Sequence, residues 1–573
     1  MIRLRSALAR TRGDDGAALA TVLGLSLVML VLIAIGASIT VSGIRKSSTD
    51  TAWNGALAAA YAGVDEYKSR LADDPDYIKY GNPAAPFTVA SGSASTVSLP
   101  TASLNPAFGV TAGGTWASVP GAGNRSQFRY EVDNTTYART GVLRLRSTGK
   151  VGDVTRSIVA NVKQQGFIDF VYYTDYEVID PQWDTDCDPG YEWAGDRGSG
   201  CESILFTDDD VLDGPVHSND TMRVCRSQFL QAVTTLKPTA PYYDNNGCGS
   251  ATFGDGITGG VSVQMPTTNA AMREEAVCTY TGPTQIVFNA GGTMTVVSPW
   301  TRNTLARGGA SCGAVGTGTG QLGNPGGATV AVPDHDLIFV QDVPPRSDTT
   351  NPNRPNGTSS TVTPPTNVTC TTGSSGGWRL TSGSATVRYP LSSESEAEYS
   401  SSTTPAYDCD RGDVFVRGAM NGALTIAATT IYVTGDIAYQ NTSSNVLGLV
   451  GQSAVWVWNP MNGSSPMNPN GTGNRRIDAA IISVAHSFQV QNHDRGGRRG
   501  ILTVNGSIAQ KFRGVVGTGS GSSTSNGYEK KYVYDQRFIS MAPPKFLSPI
   551  ATVFRVSQYS TVATAFNPDG SPR

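Results

Sequence analysis

The stretch AALATVLGLSLVMLVLIAIGASITVSGI, Ala17 to Ile44, decides how the rest of the chain is read. It carries no charged residue. As a helix rising about 1.5 Å per residue it would reach roughly 42 Å, more than the roughly 30 Å of a bilayer core. Arg3, Arg5, Arg10 and Arg12 precede it. They predict a single-pass protein with a cytoplasmic N-terminus and everything after Lys46 outside, although Arg45 and Lys46 soften the asymmetry. The run far exceeds the roughly 7 to 15 apolar residues of a secretory signal, and no clear A-x-A site follows it. An anchor is left, and its flanks decide its kind.

Toward the N-terminus, Arg12, Gly13, Asp14, Asp15 and Gly16 close a short polar leader, and the apolar run starts at once with Ala17, Ala18 and Leu19. On the other flank Trp53, Leu57, Ala60, Val64, Tyr67 and Leu71 recur at steps of four and three, one stripe on a continuing helix that Pro75 should end. This arrangement resembles a prepilin, and most of all the PilX-type minor pilins and the K-type pseudopilins of type II secretion. The resemblance implies a component of a type IV pilus or related envelope filament, acting in pilus assembly, surface presentation or adhesion. It also implies a prepilin peptidase cutting between Gly16 and Ala17, with other pilin-like subunits and an assembly platform as partners. A cut after Gly13 would leave Asp14 and Asp15 leading the membrane helix, which is unfavourable. The fifth residue from Ala17 is Thr21, where a major pilin would carry glutamate. That departure matches the K-type pattern and implies a minor, tip-proximal subunit.

Beyond the helix the composition describes a large β protein. The 573 residues include 65 glycines and 32 prolines, yet 39% are hydrophobic, so a core can form. The net charge of −3 supplies no basic surface for nucleic acid. FRYEV from Phe128, GVLRLRSTG from Gly141 and TRSIVANVK from Thr155 are three β-type runs, a meander that with the helix resembles a pilin head. From Val414 to Ile508, VFVRG, ALTIAA, TIYVTGDI, VLGLVG, AVWVW, AAIISV and ILTVNGSI follow one another between Gly, Asn and Ser breaks. Such strands suit a β-solenoid, with a β-sandwich as the alternative.

The expected organisation is a leader at 1–16, a transmembrane helix at 17–44, its amphipathic continuation at 45–74 and a head sheet at 75–165. A large disulfide-containing β-rich domain at 166–545 and a C-terminal strand and tail at 546–573 complete it. The fold class is thus mainly β with one long N-terminal helix. Segments 344–378, 461–475 and 517–527 read as surface insertions. GPVHSND from Gly214, NGSIAQKFRG from Asn505, GYEKKYVYDQRF from Gly527 and APPKFLSPI from Ala542 also resemble phrases of large PilX-type envelope proteins of high-GC Gram-positive bacteria.

All eight cysteines, Cys187, Cys201, Cys225, Cys248, Cys278, Cys312, Cys370 and Cys409, fall on the outer side. An even number there predicts disulfides, by default between neighbours along the chain. Asp184, Asp186 and Asp188 alternate in DTDCDPG, the spacing of hard oxygen ligands in a Ca²⁺ loop. Pro189 stands where an EF-hand has glycine and no glutamate closes the loop, so an acidic disulfide-closed loop is the plainer expectation, with no cofactor. Gly309, Ser311 and Gly313 fit G-x-S-x-G without the strand and helix of a nucleophile elbow. His217, His335, His486 and His493 show no metal spacing, and His486 reads as a strand residue. No Walker A sequence occurs, so a filament motor would be another protein. The expectation is a non-enzyme. The alternative is a membrane-anchored surface solenoid that binds or cleaves glycans, with Asp408, Asp410 and Asp413 as the carboxylates to consider.

Overall fold

The computed structural model describes residues 15–573 apart from 82–86, 88–104, 110–115, 136, 138–141, 165, 184–185, 246, 357–362, 396, 398, 401–404, 468–469, 471–472, 521–522 and 550–553. One helix runs unbroken from Asp15 to Asp73. The chain divides into two compact units, one of residues 1–134, 144–161 and 558–573, the other of residues 135–143 and 162–557.

In the first unit the second half of the helix lies on a sheet. Ala60, Val64, Tyr67 and Leu71 are buried as the stripe predicts, joined by Ala56 and Ala59. Trp53 is left at the surface with the Arg156 guanidinium 4.0 Å over its ring. The sheet order is Ala117–Ser118, Gln127–Asp133, Val142–Val151, Val154–Gln164 and Phe554–Val562. Gly152 has φ 56°, the left-handed conformation that the tight turn between the third and fourth strands requires. The last strand comes from the end of the chain. The head expected at 75–165 therefore draws in the C-terminal segment, which the sequence placed after the solenoid as a separate tail. Asn161 bonds Gln558 and the Thr564 hydroxyl donates to the Thr155 carbonyl, so these two strands run antiparallel. They form a hairpin whose connection holds most of the second unit.

That unit is a parallel β-solenoid, which sets aside the sandwich. Three ladders line its interior. In the first, Cys278, Ile338, Ile426, Leu449, Ile481, Ile508, Tyr172, Val216, Val233 and Ile257 stack in register on ten parallel strands. In the second, Ile286, Val416, Val433, Val457 and Val490 are aligned. In the third, Ile437, Ile477, Val504, Tyr532, Leu212, Phe229 and Phe253 are aligned. All seven apolar runs singled out between Val414 and Ile508 are strands. Each coil buries its neighbour's apolar face, which no coil could do alone.

Coil order is not sequence order. The chain enters mid-stack at Tyr172 and winds outward to Ile257. It then crosses to the far end, and from Cys278 it winds back until Ile508 pairs with Tyr172. The crossing segment lies over an outward row that would otherwise be bare. Val263, Met265, Met272 and Ala276 cover Phe339, Ala427, Val450, Ile482, Ala509 and Tyr173. The Asn269 amide donates to the carbonyls of Ala428 and Val450, and the Tyr173 hydroxyl to that of Val263.

Where the two windings meet, the interior becomes charged. Arg513 pairs with Glu177 at 2.8 Å, both with side chains at most 1% exposed, and the guanidinium lies 3.5 Å over Phe206. Lys530 pairs with Asp210, also at 2.8 Å. A small antiparallel sheet of Val368–Thr371, Gly377–Ser382 and Ala385–Tyr389 begins in the insertion expected at 344–378 and runs past its end. His486 sits in the bend between Arg475–Ser483 and Phe488–Val490 rather than in a strand, where Asp180 accepts from its ring at 2.9 Å.

Candidate functional site

The long helix is the first candidate, because one continuous element presents two different surfaces. From Leu19 to Ile44 its large apolar side chains are exposed, and by length and composition it can cross a membrane. Gly16 and Ala17 lie in its first turn, and the leader before Asp15 lies outside the described residues. The Thr21 hydroxyl donates to the Ala18 carbonyl at 2.9 Å, so its polar group is satisfied within the helix as an apolar surrounding demands.

The second half of the helix approaches the head closely. A Cβ at Gly149 would collide with the Ala56 carbonyl and the Ala60 amide, so glycine there lets sheet and helix backbones meet. Tyr67 packs edge-on against Tyr130, which is edge-on to Phe108. The Tyr130 hydroxyl donates to Glu66 at 2.8 Å and accepts from the Asn105 amide. Burial, then the Glu66 charge, hold Tyr130 well above the ordinary tyrosine range. It stays a neutral donor. At the tail, the Arg129 guanidinium lies 3.9 Å over Phe566 and donates to the Gly570 carbonyl.

In the solenoid all eight cysteines pair with chain neighbours, Cys187–Cys201, Cys225–Cys248, Cys278–Cys312 and Cys370–Cys409. Asp186 and Asp188 are exposed in the first of these loops and Asp184 lies outside the described residues. Among the described residues no three His, Cys, Asp or Glu side chains are grouped to hold a metal ion. Ser311 is exposed in a loop and has neither the strand nor the helix of an elbow.

The three carboxylates around Cys409 do not act alike. Asp413 is buried and takes a two-pronged bond from Arg411, at 2.6 and 2.9 Å. Partial desolvation and then the neighbouring Asp408 push Asp410 up to about 6. Arg411 lines a cleft of about 470 Å³ with Trp183, Tyr432, Trp456 and Gln491, and no carboxylate is among its described lining residues. Burial pushes Glu394 up to about 7, but it accepts from the Tyr407 hydroxyl inside the protein.

GPVHSND proves to be a structural hub. His217 is buried between Thr234 and Asn219, and desolvation pulls it down to about 4. The Asn219 amide reaches the carbonyl of Val263 in the crossing segment, and Asp220 accepts the backbone amides of Glu177, Glu192 and Thr221. Sequence marked the phrase without revealing this role, since its partners lie on three separate segments.

No family model matches the chain, and no curated protein does. Among solved structures, the competence-associated pilin ComZ from Thermus thermophilus aligns at 10% identity over 90% of this chain and 98% of its own, with a TM-score of 0.26. At that score no common fold is inferred.

Proposed function

We propose that this chain is a pilin-like subunit held in the membrane by its N-terminal helix, a PilX-type minor component of a type IV pilus or related envelope filament. The observation that carries the reading is the Asp15–Asp73 helix itself. Its first half is exposed and apolar, and its second half is the spine of an antiparallel head. Such a helix serves first as an anchor and then as a packing surface among similar helices once the subunit leaves the bilayer. The prepilin peptidase would cut between Gly16 and Ala17, and the assembly platform would receive the mature helix.

The head's connecting hairpin carries a solenoid too bulky to repeat at each shaft position, which supports a tip-proximal, outward-facing place. The carboxylates around Cys409 are buried, paired or outside the described cleft lining, so they do not face that cleft as an acid/base pair. Mass spectrometry of the mature protein tests the reading. A new N-terminus at Ala17 is expected, whereas Met1 retained or a start beyond Ser38 leaves a plain anchor or a secretory signal. Immunogold labelling with antibody to residues 167–553 should mark filament ends, and uniform decoration of the shaft would refute the tip placement.

A further inference from the structure

A second pocket, of about 300 Å³, opens on the N-terminal winding, at the lower edge of the range of small-molecule sites. One wall carries Glu192 and Trp193, and the other Tyr243, Asp244 and Asn245, with Lys237 and Thr221 also lining it. The first wall belongs to the loop closed by Cys187–Cys201 and the second to the loop closed by Cys225–Cys248. Two of the four disulfides therefore brace the two walls. Fixing loops before binding reduces the ordering that a ligand must otherwise impose.

The polar groups are mixed in kind: Glu192 already accepts from Arg197 at 2.8 Å, while others are not used up by the fold. Lys237 has no acceptor or counter-ion among the described residues, and the Asn245 amide nitrogen makes no hydrogen bond while its oxygen caps Gly247. Among the described residues the Thr221 hydroxyl and Arg223 Nε are buried without a hydrogen bond, Arg223 Nε being ion-paired with Glu192 at 3.6 Å and Asp244 at 3.7 Å. These gaps are longer than a hydrogen bond. Lys237 lines the pocket with Glu192 and Asp244, and both carboxylates are met by arginines, Glu192 by Arg197 and Arg223 and Asp244 by Arg223, so no large excess of charge is left to attract an ion. The lining also carries rings: Trp193 lies flat on Tyr191, with centroids 5.6 Å apart and an interplanar angle of 12°, and Tyr243 packs on Phe253.

We infer that this pocket binds a neutral saccharide unit of a surface glycan. Each sugar hydroxyl donates and accepts, which fits the Lys237 ammonium, the Asn245 amide and the Thr221 hydroxyl, and the apolar C–H face of the ring fits the Trp193 indole. The proposal rests on the reading of the solenoid as outward-facing only for where the glycan is met.

The test uses the full chain in a detergent without a sugar headgroup, titrated calorimetrically with cellobiose, lactose, mannobiose and N,N′-diacetylchitobiose, and with digalacturonate as the acidic probe. Saturable binding of at least one neutral disaccharide is expected, weakened at least about tenfold, or about 1.4 kcal/mol, by Trp193→Ala and by Lys237→Gln. Lys237 has no partner among the described residues, so its variant keeps the test valid if Trp193→Ala does not fold. Binding of none of the neutral sugars, binding of digalacturonate alone, or equal binding by both folded variants would overturn the proposal. Sugar binding by a chain whose N-terminus is never cut would leave the site standing and the pilin-like reading fallen.

Discussion

The interior of the solenoid is built in two ways, and the contrast lies between the coils of the returning winding and the seam where that winding meets its beginning. From Cys278 to Ile508 the first ladder is almost purely aliphatic. At the seam Arg513, Glu177, Lys530 and Asp210 stand in the interior among Tyr172, Tyr532 and Phe206. Aliphatic ladders favour stacking but not one neighbour over another, because Ile426 would sit as well on Ile508 as on Leu449. Sequence-adjacent coils need little more, since the short chain between them chooses the partner. The seam joins strands more than 300 residues apart, as the separation of 336 between Glu177 and Arg513 records. There the charges select the partner, in the way single buried polar residues fix register elsewhere.

Breaking the seam should have the largest effect. Arg513→Met leaves Glu177 buried without its cation and should cost about 3–5 kcal/mol, while Arg513→Met with Glu177→Leu should recover most of the loss. Guanidinium unfolding of the full chain in micelles, followed by near-ultraviolet circular dichroism, measures both. If the double variant is as unstable as the single one, the pair does more than balance charge.

Acid should act next, through His217, which stacks on Tyr173 beside the seam at 5.9 Å. Burial keeps its folded pKa near 4, below the usual 6.5. As pH falls the unfolded chain is protonated first, so stability is intact above 6.5 and lost between 6.5 and 4, by about 3 kcal/mol. Thermal melts across that interval should flatten in His217→Gln. An unchanged slope would mean that other groups govern the acid response.

The smallest effect belongs to the ladder. Ile481→Val removes one methylene from a row of interchangeable neighbours and should cost about 1 kcal/mol. A loss as large as at the seam would erase the distinction between the two kinds of stacking.

Much of this was legible in sequence because it is local. Charge-free length gives the helix, the four-and-three spacing gives its buried face at Ala60, Val64, Tyr67 and Leu71, and alternation gives the strands. What escaped is long-range. Alternation says which side chains of VLGLVG point inward, yet it cannot say that Leu449 stacks between Ile426 and Ile481, still less that Ile508 meets Tyr172. The same limit hid the return of Phe554–Val562 to the head and the pocket's two walls, which share no stretch of sequence. His486 was misplaced because an apolar run on both sides of it conceals a bend.

The antiparallel pairing of Val154–Gln164 with Phe554–Val562 also imposes an order on biogenesis. During synthesis the head's first four strands emerge early, but its fifth follows only after the whole solenoid has left the ribosome. Until then Val154–Gln164 is an open edge, the kind of surface that recruits stray strands. The head is complete only when Phe554–Val562 arrives, so a chain cut short anywhere in the solenoid carries an incomplete head and a visible mark of its own truncation.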